Sequence, residues 1–235
     1  MFSVALVGPD GAGKTTVARR LETTLPIPAR YLYLGVSMDS SSAMLPTTRA
    51  LRRLKRALGA PPDTRGPSDS RLRDSGVGSR TRRPLRALRL SLRLVNQLAE
   101  EWYRQMLAWA EMRRGRVVLC DRHYFADFYH YDVARDPSER RWLDRRIHGF
   151  VLSHLYPKPD LVVYLDAPAK VLFARKGEGT IELLERRRRE YLELGELVER
   201  FAVVDATRPV DDVVRDVARL VTDLAATRTP TPSSG

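Results

Sequence analysis

The 235-residue chain is predicted to be a three-layer α/β protein, with a central parallel sheet of about five strands flanked by helices. The first observation behind this is a set of five short aliphatic or β-branched runs: Phe2 to Val7, Tyr31 to Val36, Val117 to Cys120, Leu161 to Leu165 and Phe201 to Val204. None of them alternates with polar residues, as expected of strands buried on both faces. The second is that helical apolar periods fill the intervals. Val17, Leu21 and Leu25 follow the first run; Leu88, Leu92 and Val95 precede Trp102; Val210, Val213, Val214, Val217, Leu220, Val221 and Leu224 follow the last. Strand and helix therefore alternate, the order of a doubly wound sheet, whose ligands sit at the carboxyl ends of its strands.

The third observation lies where the first strand run meets the first helical period. The junction is GPDGAGKTT, Gly8 to Thr16, which fits G-x-x-x-x-G-K-T and narrows the prediction to a P-loop NTPase-type fold. Gly8, Gly11 and Gly13 let the backbone wrap a phosphate, and N–H groups at the helix start point at it. Lys14 supplies positive charge to the β and γ phosphates, and the Thr15 hydroxyl is placed to ligate Mg²⁺. Gly8, Pro9, Asp10, Gly11, Ala12, Gly13, Lys14, Thr15 and Thr16 are thus the expected nucleotide-binding residues, with ATP and Mg²⁺ as cofactors. The competing reading is a glycine-rich turn carrying an exposed lysine.

The third strand run, in RVVLCDRH from Arg116 to His123, ends in Asp121 and Arg122. Beside the first strand, that end emerges near the phosphate loop, where the carboxylate can hold Mg²⁺ and the guanidinium can take a phosphate bidentately. A strand-terminating ion pair is the alternative. Asp166, in YLDAP, is read as a helix N-cap ahead of Pro168. Trp102, Tyr103, Tyr124, Phe125, Phe128, Tyr129 and Tyr131 offer either a stacking surface or core packing. His123 and His130 lack partners at metal-ligand spacing and are read as polar pocket or surface residues.

Composition bounds the function. Hydrophobic residues make up 43% and charged ones 30%, which excludes a collagen-like repeat, a disulfide miniprotein and a wholly disordered chain. A single cysteine, Cys120, has no intrachain disulfide partner. No apolar stretch approaches the roughly 20 residues of a membrane span, and the N-terminal run is too short for a secretion signal. A soluble, cytoplasmic protein is expected. The net charge of +12 is local: Leu45 to Arg93 holds 14 basic and 3 acidic residues, and the remainder is nearly neutral. Within it, Arg49 to Leu58 sets Leu51, Leu54 and Leu58 on one helical face with Arg52, Arg53, Lys55 and Arg56 around them. That face could clamp an anionic acceptor, lie on a membrane or be solvated. Gly59 to Pro84 has almost no large apolar side chains and is expected to be mobile.

The chain resembles the thymidylate kinase family of P-loop nucleoside monophosphate kinases. The similar segments are DGAGKTT at Asp10 to Thr16, the strand and Asp-Arg pair at Val117 to Arg122, YLDAPAKVLFARKGE from Tyr164 to Glu178, ERRRREYLELGE from Glu185 to Glu196, and FAVVDATRPVDDV from Phe201 to Val213. The resemblance implies one kinase domain over residues 1–226, with a basic insert at about 37–90, a lid at about 174–190 and a tail at 227–235. It implies transfer of the γ-phosphoryl group of Mg·ATP to a nucleoside monophosphate. Lys14, Asp10, Arg122, Arg175 and Arg188 would be the catalytic residues, Thr15 and Asp121 the metal ligands, and Asp205 to Arg208 would lie against the adenine.

On the acceptor side the sequence departs from the family. Val7 stands where relatives carry Glu, no REPGGT-like segment follows the second strand, and Ala126 and His130-Tyr131 replace Ser and Tyr-Gln. Alternative readings are a kinase of a non-nucleotide or nucleic-acid-end acceptor, and a non-catalytic nucleotide-binding switch. The expected partner is a small-molecule phosphate acceptor rather than a nucleic acid, and a homodimer stays open.

Overall fold

A computed structural model describes residues 1–35, 44–57, 83–123, 126 and 147–228. Its five strands are β1 (Ser3–Val7), β2 (Ala29–Tyr33), β3 (Val117–Asp121), β4 (Leu161–Asp166) and β5 (Phe201–Asp205). All pair in parallel, in the order β2-β3-β1-β4-β5. The described helices are α1 (Lys14–Thr24), α2 (Pro46–Ala57), α3 (Arg83–Arg113), α4 (Ala169–Lys176), α5 (Ile181–Glu193) and α6 (Val210–Arg228), with a π-helical turn at Val151–Leu155. This is the P-loop NTPase-type arrangement that the alternation of runs and the glycine-rich junction together predicted.

Alternation along each strand explains why the runs read as continuously apolar. Val4 and Leu6 face one core with Val117, Leu119, Val163 and Leu165, covered by Val17 and Leu21 of α1 and by Val213, Val217 and Val221 of α6. Ala5 and Val7 face a second core with Val118, Cys120, Val162 and Tyr164, covered by Ala108 of α3, by Leu152 and Tyr156, and by Tyr191 of α5. Both faces of β1, β3 and β4 are buried, so neither set can be polar there.

Boundaries move for identifiable reasons. The second strand starts at Ala29 rather than Tyr31, because it pairs along the full length of β3 and Val117 N–H donates to the Pro28 carbonyl at 2.8 Å. Helix α3 begins at Arg83, so Arg83 and Pro84 leave the stretch expected to be mobile; a proline in a first helical turn loses no intrahelical bond. At the other end α6 runs through Thr227 to Arg228, and Arg228 pairs with Asp160 at 2.7 Å beside the start of β1, where Asp160 also accepts from the backbone N–H and hydroxyl of Ser3. Thr227 and Arg228 are therefore helical.

The basic segment forms a helix at Pro46–Ala57. The side chains of Leu51, Arg52, Leu54, Lys55 and Arg56, together with Val36, Leu58, residues 59–82, Tyr124, Phe125, Phe128, Tyr129, His130, Tyr131 and residues 229–235, lie outside what is described. No described helix is long and apolar enough to cross a membrane.

Candidate functional site

At the carboxyl end of β1 the chain turns three times through glycine. Gly8, Gly11 and Gly13 have φ of 145°, 91° and 87°, values that side chains resist. Gly8 is doubly constrained, because an added Cβ would meet the Leu165 carbonyl oxygen at 2.8 Å. Gly13 is the N-cap of α1 and has no side chain to cap it, which leaves the first-turn N–H groups to a ligand. Ala12 is buried in the α1-side core, which fixes the loop from beneath, while Thr16 is exposed on the first turn.

Lys14 is not the exposed lysine of a plain turn. It is 6% exposed, and its Nζ donates to the carbonyls of Gly8 and Pro9 at 2.7 and 2.8 Å, folding the loop over its own ammonium. Next to it, the Thr15 hydroxyl donates to Asp121 Oδ2 at 2.5 Å. The Tyr31 hydroxyl donates to the same oxygen at 3.0 Å, and the Asp121 Oδ1 atom is buried with no hydrogen-bond partner. An orphaned carboxylate oxygen beside a threonine hydroxyl fits a hard cation that takes one or two protein oxygens and completes its shell with water and substrate phosphate. Among the described residues no group of three or more His, Cys, Asp or Glu converges on a metal site.

Arg122 follows at φ 67°, a left-handed backbone, and its Nη2 donates to Asp10 Oδ1. The same carboxylate oxygen lies 3.9 Å from Lys14 Nζ and 3.9 Å from Lys176 Nζ, at the end of α4. Burial pushes the Asp10 carboxyl up, but Arg122, Lys14 and Lys176 outweigh it and hold it below the usual carboxylate range. Cations from the phosphate loop, from the end of β3 and from the end of α4 thus meet at one anion. Gly35 makes room beside them, since a Cβ there would reach 2.5 Å from Arg122 Cδ. The buried Arg104 of α3 holds the Gly35 carbonyl at 2.6 Å.

Lys14, Asp10, Thr15, Asp121 and Arg122 therefore come together at the carboxyl ends of β1 and β3. The other expected arginines bond elsewhere in this structure. Arg175 donates to the Ala206 carbonyl at 2.9 Å, Arg208 pairs with Asp216 at 2.5 Å, and Arg188 makes a bidentate pair with Asp166 at 2.7 and 2.8 Å. Asp166 is consequently not an N-cap. Pro168 occupies that position without a side-chain bond, and Asp166 is the last residue of β4, facing Arg188 and accepting from the Tyr164 hydroxyl at 3.0 Å. Burial of His123 pushes its imidazole down to about 4, so it is a neutral buried residue rather than a surface one. Trp102 packs against Trp109 and Tyr156, the core option for that ring.

Tyr31 was not among the expected site residues, and Lys176 was expected only as a boundary of the lid, not at Asp10. Lys176 could be read only as one cation at the end of a helix, and Tyr31 only as a strand residue, because their partners are remote in sequence.

Comparison with known proteins identifies the family. The thymidylate kinase family model matches residues 73–217, and a model described as an AAA domain matches residues 3–121, which contain the phosphate loop. A probable thymidylate kinase of Staphylothermus marinus is 36% identical over 120 residues, and one of Pyrococcus abyssi is 33% identical over 118; each alignment covers 47% of this chain. The chain spans about half the length of these relatives, 55% and 54%. The thymidylate kinase of Leuconostoc citreum is 25% identical over 239 residues, 96% of each chain. With well over half of its length matched by the family model, the chain belongs to the thymidylate kinase family.

Proposed function

We propose that the chain is an ATP-dependent phosphotransferase that moves the γ-phosphoryl group of Mg·ATP to a small acceptor, a nucleoside monophosphate. The observation that carries this is the meeting of Lys14, Arg122 and Lys176 at Asp10. A purely nucleotide-binding loop needs the first of these cations. Transfer needs cations on both sides of the moving group, because its transition state spreads negative charge over the phosphoryl oxygens.

In this reading Lys14 exchanges its loop carbonyls for the β and γ phosphates. The loop from Gly8 to Thr16 holds the donor, through its backbone N–H groups at every position but Pro9. Thr15 and Asp121 are the protein ligands of Mg²⁺, which supplies charge neutralisation at the phosphate oxygens when bound. Arg122 holds the acceptor's anionic group, and Asp10 orients Arg122 while it waits. Arg175 and Arg188, on either side of the exposed 177–180 loop, are the lid arginines, and closure of residues 174–190 excludes water that would otherwise take the phosphoryl group. Arg208 borders the adenine. A cytoplasmic location belongs to the same proposal.

Incubation with γ-labelled ATP and Mg²⁺ against nucleoside monophosphates, sugars and oligonucleotides tests it. Label is expected on a nucleoside monophosphate. Label on sugars or oligonucleotides alone overturns the acceptor assignment, and binding without transfer overturns catalysis.

A further inference from the structure

The carboxylate of Asp121 is held by more than the phosphate loop. Its Oδ2 accepts from Thr15 at 2.5 Å and from Tyr31 at 3.0 Å, while Oδ1 is buried without a hydrogen-bond partner. A carboxylate turns readily about its last torsion. With one donor it could present either oxygen; with two donors on the same oxygen it presents the other. The two donors are not equivalent. The Thr15 hydroxyl must also offer its lone pairs to a cation if it is a ligand, whereas the Tyr31 hydroxyl is not among the expected metal ligands.

Tyr31 is itself fixed. Its ring lies under the Arg19 guanidinium, 5.3 Å from ring centroid to cation, and Arg19 is one helical turn beyond Thr15 on α1. Its backbone N–H donates to Glu22 Oε1 at 3.1 Å, which ties the start of β2 to the same helix. The β2–β3 register sets Tyr31 beside Leu119 and Tyr33 beside Asp121, so the phenol reaches along the ladder to the strand end.

We propose that Tyr31 is a positioning residue for the metal-binding carboxylate: by donating to Asp121 Oδ2 it locks the rotation that leaves Oδ1 for a divalent cation. Tyr31 would not touch the metal or the substrate. This rests on the reading of Thr15 and Asp121 as metal ligands, and outer-shell partners of this kind are typically worth 10- to 100-fold in metal affinity.

The test is calorimetric titration of ADP into the full chain, once with excess Mg²⁺ and once with EDTA, for the wild type and Tyr31→Phe. The dissociation constant in EDTA divided by that in Mg²⁺ measures metal coupling at the site. Tyr31→Phe is expected to lower that ratio by about tenfold, with the EDTA value unchanged. An unchanged ratio overturns the proposal, including the case in which both affinities fall together, which would mark a merely structural tyrosine. A wild-type ratio of one would overturn the metal reading of Thr15 and Asp121 instead, so the two failures are told apart.

Discussion

The two ends of the candidate site are built differently. The phosphate loop and the end of β3 are braced from within: Lys14 is buried on two loop carbonyls, and Asp121, 1% exposed, accepts from Thr15 and Tyr31. The α4–α5 arm is held at its surface. Every residue from 173 to 182 is exposed, and Arg186, Arg187 and Arg188 are paired with carboxylates at or near the surface. Rigid donors serve a transition state best when they need no reorganisation, while a closing segment must be able to open at small cost. The contrast suits the proposed reading of a preformed donor site under a movable cover.

The largest expected effect tests the braced end. Lys14→Ala should lower phosphoryl transfer by about two to three orders of magnitude, as the loss of one aimed charge does elsewhere. Because Lys14 is buried rather than exposed, it should also cost about 1–3 kcal/mol of stability by leaving the Gly8 and Pro9 carbonyls without that donor. Labelled-ATP turnover and the thermal midpoint report the two separately. Wild-type turnover in the variant would break the assignment.

Glycine substitutions sharpen the same contrast without touching charge. Gly8→Ala meets both a φ of 145° and a carbonyl oxygen at 2.8 Å, and should cost about 3 kcal/mol. Gly177→Ala, in the arm, has a φ of 67° with nothing within 4 Å of the new Cβ, and should cost about 1 kcal/mol. Urea unfolding of both measures the difference, and equal losses would deny that the loop is the tighter element. Arg188→Ala should reduce transfer by about a hundredfold, the lower end for one transition-state donor, and leave ADP affinity nearly unchanged. A drop in ADP affinity as large as the drop in transfer would place Arg188 in ground-state binding instead.

How much of this the sequence carried depends on the range of each contact. β1, the phosphate loop and α1 are contiguous, and their chemistry is local, so Gly8 to Thr16 could be read directly. Asp121 and Arg122 were legible because a buried strand between parallel neighbours must end beside the loop. Asp166 was misread for the opposite reason. An aspartate shortly before a proline and a helix is a local cap signal, whereas the partner it actually meets, Arg188, is a whole helix away and depends on how α5 packs over β4. Tyr31 carried no signal, since tyrosine is ordinary in a strand and only the register with β3 aims it at Asp121.

Asp166 also supplies the smallest test, through pH. The hydrogen bonds from Arg188 lead in holding its carboxyl below the usual carboxylate range, against a smaller push upward from burial. A carboxyl whose folded value lies below its unfolded value, about 4, adds stability that is complete above that value and is lost as pH falls through the folded one. The pair is partly exposed, with Asp166 at 18% and Arg188 at 30%, so its worth at pH 7 should be about 1 kcal/mol once solvent screening is allowed for. Asp166→Asn should therefore be less stable than the wild type at pH 7 by about that amount, with the gap closing as the pH is lowered from 4. Asp10 titrates in the same direction at the other end of the site and remains in both proteins, so it cancels in the comparison. Urea unfolding of the two proteins between pH 7 and pH 3 measures the gap. A gap that stayed constant would mean that the arm is not held by the Asp166 charge, and that packing of Leu184 and Tyr191 alone keeps α5 on the sheet.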